Sequence, residues 1–268
     1  MGIGKNNFML KKQIGEDMND KVVHLMEIQA DIALIKMEDR ENKNLFTQQL
    51  MDELCNAFET AENNEKYKVI IFTGYDNYFA TGGTKETLLA IQEGRMTFLT
   101  KEGGKNVYSL PLDCKIPVIA AMQGHAIGGG LSLGLFSDFI IMSRESVYSA
   151  SFMKYGFTPG FGSTYIFPQK IGLPLAEEFL ITARTFKGAD LAKRGIPFEV
   201  YPRKEVLDRA IELAQILAEK PRISLITLKD NLVEKVRNEL PAAIEKELLM
   251  HQITFRQPEV KEKIMNLY

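Results

Sequence analysis

The chain has little of what ties a protein to disulfides, metals or membranes. Two cysteines, Cys55 and Cys114, are too few for a disulfide framework or a zinc site. Cys55 falls on an expected helix and Cys114 just before an expected strand, so both read as reduced thiols, which suits the cytoplasm. No apolar run approaches the ~20 residues that cross a bilayer. The segment from Met1 to Asp20 is polar and lacks the apolar region of a signal peptide. Its Gly2-Ile3-Gly4-Lys5 is no P-loop, because no strand precedes it and no Ser or Thr follows the lysine. Charge of one sign is missing too: 33 Lys and Arg stand against 35 Asp and Glu. Without a basic block, the chain is not a general nucleic-acid binder. Only three histidines, His24, His125 and His251, titrate near neutrality, and no internal repeat or low-complexity segment is found.

What is present is a large core: 45% of the 268 residues are hydrophobic. That suits one large domain, or a domain with a helical appendage. Ile32 to Met37 reads as a strand. Thr47 is placed to cap a helix whose apolar residues Leu50, Leu54, Phe58 and Ala61 recur at helical spacing. Val69 to Phe72 and Val118 to Met122 are short apolar runs of the buried-strand type, and Phe139 to Met142 is another. Helices are expected from Thr84 to Gln92 and after the glycine turn through Phe136. Strands alternating with helices indicate an α/β chain with a parallel sheet. Beyond about residue 174 five helices are expected: Leu175 to Thr182, Ala189 to Arg194, Glu205 to Lys220, Ile223 to Asn238 and Ala242 to Gln257. Pro221 and Pro241 punctuate them.

Two glycine-rich turns are the strongest chemical signal. Gly124-His125-Ala126-Ile127-Gly128-Gly129-Gly130 joins a buried strand to a helix. Residues without Cβ let backbone N–H groups approach a ligand closely, and a helix start adds partial positive charge. Such groups stabilise an oxyanion by about 3 kcal/mol per donor in other enzymes. The plainer reading is a tight turn for strand–helix packing. The spacing is not that of a dinucleotide fingerprint. A second turn, Tyr78-Phe79-Ala80-Thr81-Gly82-Gly83-Thr84, also leaves a strand and enters a helix.

Together with Asp138 and the run from Phe152 to Gly162, these turns resemble the crotonase (enoyl-CoA hydratase/isomerase) superfamily over roughly residues 22 to 260. The resemblance implies an α/β, crotonase-like ββα spiral core with a helical C-terminal region. It divides the chain into a flexible extension (1–20), the spiral core (21–200) and the helical region (201–268). It implies that Gly83 and Gly129 donate backbone N–H groups to a thioester oxygen. The two positions where hydratases carry their paired glutamates hold Ser132 and Phe152. Neither changes protonation near neutral pH, so neither handles a water as a pair of carboxylates does.

Of the histidines, His24 and His125 read as structural. His251 shares an apolar helix face with Ile244, Leu248 and Phe255, the pattern of a buried histidine bonded to backbone. A narrower resemblance bears on it. Gln123-Gly124-His125, Phe152 to Gly160 and Leu249-Met250-His251-Gln252-Ile253-Thr254-Phe255 are similar to the crotonase-like decarboxylases of polyketide β-branching. Those enzymes act on 3-methylglutaconyl groups held on an acyl carrier protein, with a lysine and the histidine of an H-x-x-T-F segment. The histidine corresponds to His251, which is then expected to face the two glycine N–H groups. For the lysine, counting back from Tyr108-Ser109 favours Lys101, nearness to Gly83 favours Lys85, and Lys105 is a third choice. The usual state of each is a solvated surface lysine. The resemblance further implies a homotrimer or hexamer, a carrier-protein-bound or CoA-bound substrate, and no metal or redox cofactor. Two rival readings stand beside it. One is an acyl-CoA isomerase or hydratase with an acid placed elsewhere; the other is a non-catalytic crotonase-fold interaction protein.

Overall fold

The structure, a computed structural model, describes residues 21–96 and 106–268. The expected extension at residues 1–20, Lys101 and Lys105 lie outside the described residues.

The short apolar runs form the centre of a six-stranded sheet in the order β1-β2-β4-β7-β9-β12. Its strands are β1 (Val23–Gln29), β2 (Ile32–Met37), β4 (Val69–Thr73), β7 (Val118–Met122), β9 (Phe139–Ser143) and β12 (Glu199–Tyr201). Only β1 and β2 pair antiparallel; the remaining neighbours are parallel. The central runs are apolar at every position because both faces are covered. Ile70, Phe72, Val118, Ala120 and Met122 point into the main core. Val69, Ile71, Ile119 and Ala121 point to the opposite face, where they meet Val206, Ala210 and Ala214. Those three residues recur every fourth position along the helix Arg203–Ala218, which presents a narrow small-residue stripe to the sheet.

A second sheet of four strands runs β11-β10-β8-β5, from β5 (Tyr78–Ala80), β8 (His125–Ile127), β10 (Val147–Ser149) and β11 (Thr185–Lys187). A two-stranded sheet pairs β3 (Leu45–Phe46) with β6 (Gly82–Gly83). The chain thus passes repeatedly from the large sheet to the small one and back through a helix, which is the expected ββα arrangement. After β12 the described elements are all helical: Arg203–Ala218, Arg222–Thr254 and Pro258–Leu267.

Two local readings need correction. The expected pair of helices at 223–238 and 242–257 is one 33-residue helix, Arg222–Thr254, that continues through Pro241. Proline removes one backbone donor and crowds the preceding turn, but packing on both sides holds the axis. Lys229, on the N-terminal side, donates to the carbonyls of Pro111 and Ile116. Glu247, on the other, is bonded to the loop at 162–164. Tertiary contacts thus override the local penalty. A helix over Ser163–Ile171 was not expected at all, because Gly160, Gly162 and Pro168 mask its pattern.

Candidate active site

The two glycine turns come together because the strands that feed them pair. β5 and β8 run parallel, with Tyr78 opposite His125 and Ala80 opposite Ala126. Gln123 fastens the junction. Its side-chain oxygen accepts from the Gly74 N–H and the Thr73 hydroxyl, and its amide donates to the Tyr78 carbonyl at 3.1 Å. A Cβ on Gly130 would stand 2.1 Å from the Ala80 carbonyl oxygen, so any other residue there would drive the turns apart. Gly82, with φ of +88°, lies beside the Ile127 carbonyl and the Gly129 nitrogen. Asn44 completes the frame. Fully buried, it donates to the Met37 and Phe79 carbonyls and accepts from the Asp39 N–H.

Gly83 and Gly129 line one cavity of about 290 Å³. Its other walls are mostly apolar, with Leu45, Leu88, Phe152, Phe157 and Phe161 among them. No Asp or Glu is among the described residues that line it. Lys43, exposed at the rim, contributes a positive charge, and Tyr268 contributes a phenol. The Tyr268 hydroxyl donates to the Gly83 carbonyl, on the residue whose N–H is a candidate donor. Burial raises the Tyr268 pKa well above that of an ordinary phenol.

The other candidate residues divide between the cavity and its surroundings. Phe152, in the 3-10 turn Ser151–Tyr155, lines the cavity, with ring centroids 6.2 Å from Phe157 and 6.1 Å from Phe161. Ser132 is fully buried in the helix Gly129–Leu135 and bonds to the Ser163 hydroxyl at 2.7 Å, away from the lining. His251 is buried one layer behind the wall. Its ring stands edge-on to Phe157, and its Nε2 lies 2.9 Å from the Thr158 carbonyl oxygen. Burial lowers its pKa, a shift partly opposed by hydrogen bonds to the Thr158 and Pro159 backbone. Lys85 does not line the cavity, and its ammonium donates to the Met265 carbonyl at 3.0 Å.

His125 accepts the Val147 N–H on Nδ1 at 3.0 Å, a bond that ties β8 to β10. Asp138 accepts the Val118 N–H and pairs with buried Lys229 at 2.7 Å, away from the cavity lining. Sequence reasoning did not single out Lys43, Phe161 or Tyr268. Lys43 has a positive φ of 55°, Phe161 gives no pattern signal, and Tyr268 follows a helix that was not expected.

A cavity walled by apolar rings, beside two glycine turns and with no carboxylate among its described lining, is what a crotonase-fold site without a hydratase's paired acids would present. The sequence profile of the Enoyl-CoA hydratase/isomerase family matches residues 27–268. The chain belongs to that family. Among its relatives is the bacillaene synthase decarboxylase PksI of Bacillus subtilis, 60% identical over 94% of this chain and 99% of the relative. A solved structure from a dehydratase/decarboxylase couple of polyketide β-branching superposes with a TM-score of 0.89 at 60% identity, covering 92% of this chain and 99% of that one. The ECH2 decarboxylase domain of CurF from Lyngbya majuscula superposes at 0.88 with 43% identity, over 93% of this chain and 100% of that one. The protein is an enzyme of the decarboxylase branch, a lyase of polyketide β-branching.

Proposed function

We propose that this chain releases carbon dioxide from a 3-methylglutaconyl group held as a thioester on an acyl carrier protein, or on CoA as a substitute arm. The thioester oxygen lies between the N–H groups of Gly83 and Gly129, which form the oxyanion hole. The bond to the distal carboxylate breaks, and its electron pair passes through the conjugated double bond to the thioester oxygen, giving a dienolate. The hole acts where that charge develops, so it favours the transition state over the ground state. A lysine, Lys101 or Lys85, orients the carboxylate before it leaves. Proton return is the one acid–base step, assigned to His251 or to a water it holds. From its position behind Phe157, His251 reaches substrate through such a water or a change of ring orientation. Residues 21–200 form the catalytic core in this reading, and residues 201–268 close it with helices. The protein works as a homotrimer or hexamer in the cytoplasm.

The observation that carries this reading is the absence of any carboxylate among the described residues lining the cavity, next to both glycine turns. A hydratase needs two such groups to hold and deprotonate water; decarboxylation generates its enolate without a base. Mass spectrometry of a carrier-bound 3-methylglutaconyl thioester tests it directly. Loss of carbon dioxide without gain of water from crotonyl-CoA is expected. Efficient hydration without carbon dioxide loss would overturn the reading.

A further inference from the structure

One aromatic residue of the cavity wall stands in a backbone conformation that its side chain disfavours. Phe161 has φ of +64°, in the left-handed region that a bulky residue rarely adopts. Such strain persists only where the surroundings over-determine it. Here the loop from Thr158 to Thr164 is gripped from outside at both ends and from within.

Glu247 grips the C-terminal end. It is 1% exposed and sits on the long helix Arg222–Thr254. Its carboxylate accepts the N–H of Gly162 at 2.7 Å, the N–H of Thr164 at 2.8 Å and the hydroxyl of Thr164 at 2.7 Å. One turn further along the same helix face, His251 meets the Thr158 carbonyl at 2.9 Å. The Thr254 hydroxyl takes the Thr158 N–H at 3.3 Å. Inside the loop, the Ser163 hydroxyl donates to the Gly160 carbonyl and bonds to Ser132. The position where a hydratase carries its first glutamate is therefore used, in this chain, to pin the loop.

The strain places an aromatic ring on the reaction centre. The Phe161 ring lies 3.7 Å, centroid to centroid, from Tyr108 and forms part of the cavity wall. Its edge would stand 2.9 Å from a Cβ on Gly129, so the ring rests on the α-carbon of the residue assigned as an oxyanion donor. A dienolate formed at that N–H has two carbons able to take a proton, the α-carbon and the γ-carbon. Protonation at one gives the unconjugated double-bond isomer and at the other the conjugated one. Water reaching the dienolate from bulk would supply protons to both.

We propose that Phe161 is the specificity-determining residue that screens the dienolate from bulk water, and that Glu247 is the positioning residue that holds it there. The inference rests on the decarboxylase reading. No co-reactant beyond one proton is involved: the carbon–carbon bond breaks, carbon dioxide leaves, and one carbon–hydrogen bond forms.

The test is the ratio of the two double-bond isomers released, measured by NMR or chromatography on the wild type and four variants. Wild-type protein is expected to give one isomer. Phe161→Gly removes the ring and relieves the backbone strain but leaves a void in the core, so its melting temperature should fall, and the protein that remains folded at the assay temperature should yield both isomers. Phe161→Leu retains apolar bulk and should stay near the wild-type ratio. Glu247→Gln and Glu247→Ala should shift the ratio in the direction of Phe161→Gly and lower kcat with little change in KM. Glu247→Gln should do so less, because one amide oxygen still accepts. A residue that served the fold alone would change stability and rate together and leave the ratio where it was. Folded Phe161→Gly protein with the wild-type ratio overturns the inference, as does a wild type that already gives both isomers. A wild type that releases no carbon dioxide overturns instead the reading on which the inference rests.

Discussion

Ala substitution at Lys85, Lys101 and Lys105 in turn is expected to give one loss of turnover of about a hundredfold or more and two mild ones, since one lysine holds a leaving carboxylate. Three mild losses would take lysine out of the mechanism. Lys43, exposed at the cavity rim, faces the approach of an anionic substrate. Lys43→Ala should raise KM roughly 2- to 5-fold and leave kcat nearly unchanged, the effect of a solvent-screened charge. A fall in kcat instead would place this lysine among the reacting groups. His251 bears on pH as well as on chemistry. Burial holds the pKa values of His24, His125 and His251 below the ordinary histidine value of 6.5. As pH falls through 6.5, the unfolded chain takes up protons that the folded chain refuses, so stability declines toward the lower folded pKa values. The denaturant midpoint should therefore fall between about pH 7 and pH 5, and less steeply in His251→Gln. An unchanged slope in that variant would show that His251 is not held neutral in the folded state.

At the scale of elements, the glycine turns were legible in the sequence because sterics leave few alternatives. Gly130 has to be glycine where the Ala80 carbonyl approaches, and the requirement is written in the residue type. The central strands were legible for a similar reason, since burial on both faces demands unbroken apolar runs. The three-residue strands β5, β8, β10, β11 and β12 were not, being too short for an alternation to register. Phe161 and Glu247 were hidden for opposite reasons. No residue type announces a left-handed phenylalanine, and a glutamate in a highly charged helix looks like part of a solvated face. The helix through Pro241 was hidden because local sequence argues for a break and only packing overrules it. Pro241→Ala restores the missing donor to that helix and should stabilise the protein by about 1–3 kcal/mol without altering turnover. Chemical denaturation measures this, and a destabilised variant would mean that the helix is shaped around the proline.

At the scale of the molecule, the long helix also carries large apolar side chains that the single chain leaves in water. Leu228 and Leu232 are one turn apart, as are Leu249 and Ile253, and all four are more than half exposed. Such rows are common at protein–protein contacts, and they are where the proposed trimer has unspent apolar surface. Light scattering should give the mass of three or six chains, and Leu232→Glu should lower it if that row is buried between subunits. A monomer at micromolar concentration would refute the assembly.

The pairing of β5 with β8 has a consequence in time. The two glycine turns belong to strands far apart in the chain, and they pack directly against each other. Closing so long a loop is slow compared with helix formation, which needs only neighbours in sequence. During refolding, helical circular dichroism should therefore return before turnover does. The enzyme would spend that interval compact and helical but chemically inert, and the arrival of activity would date the moment at which the small sheet docks.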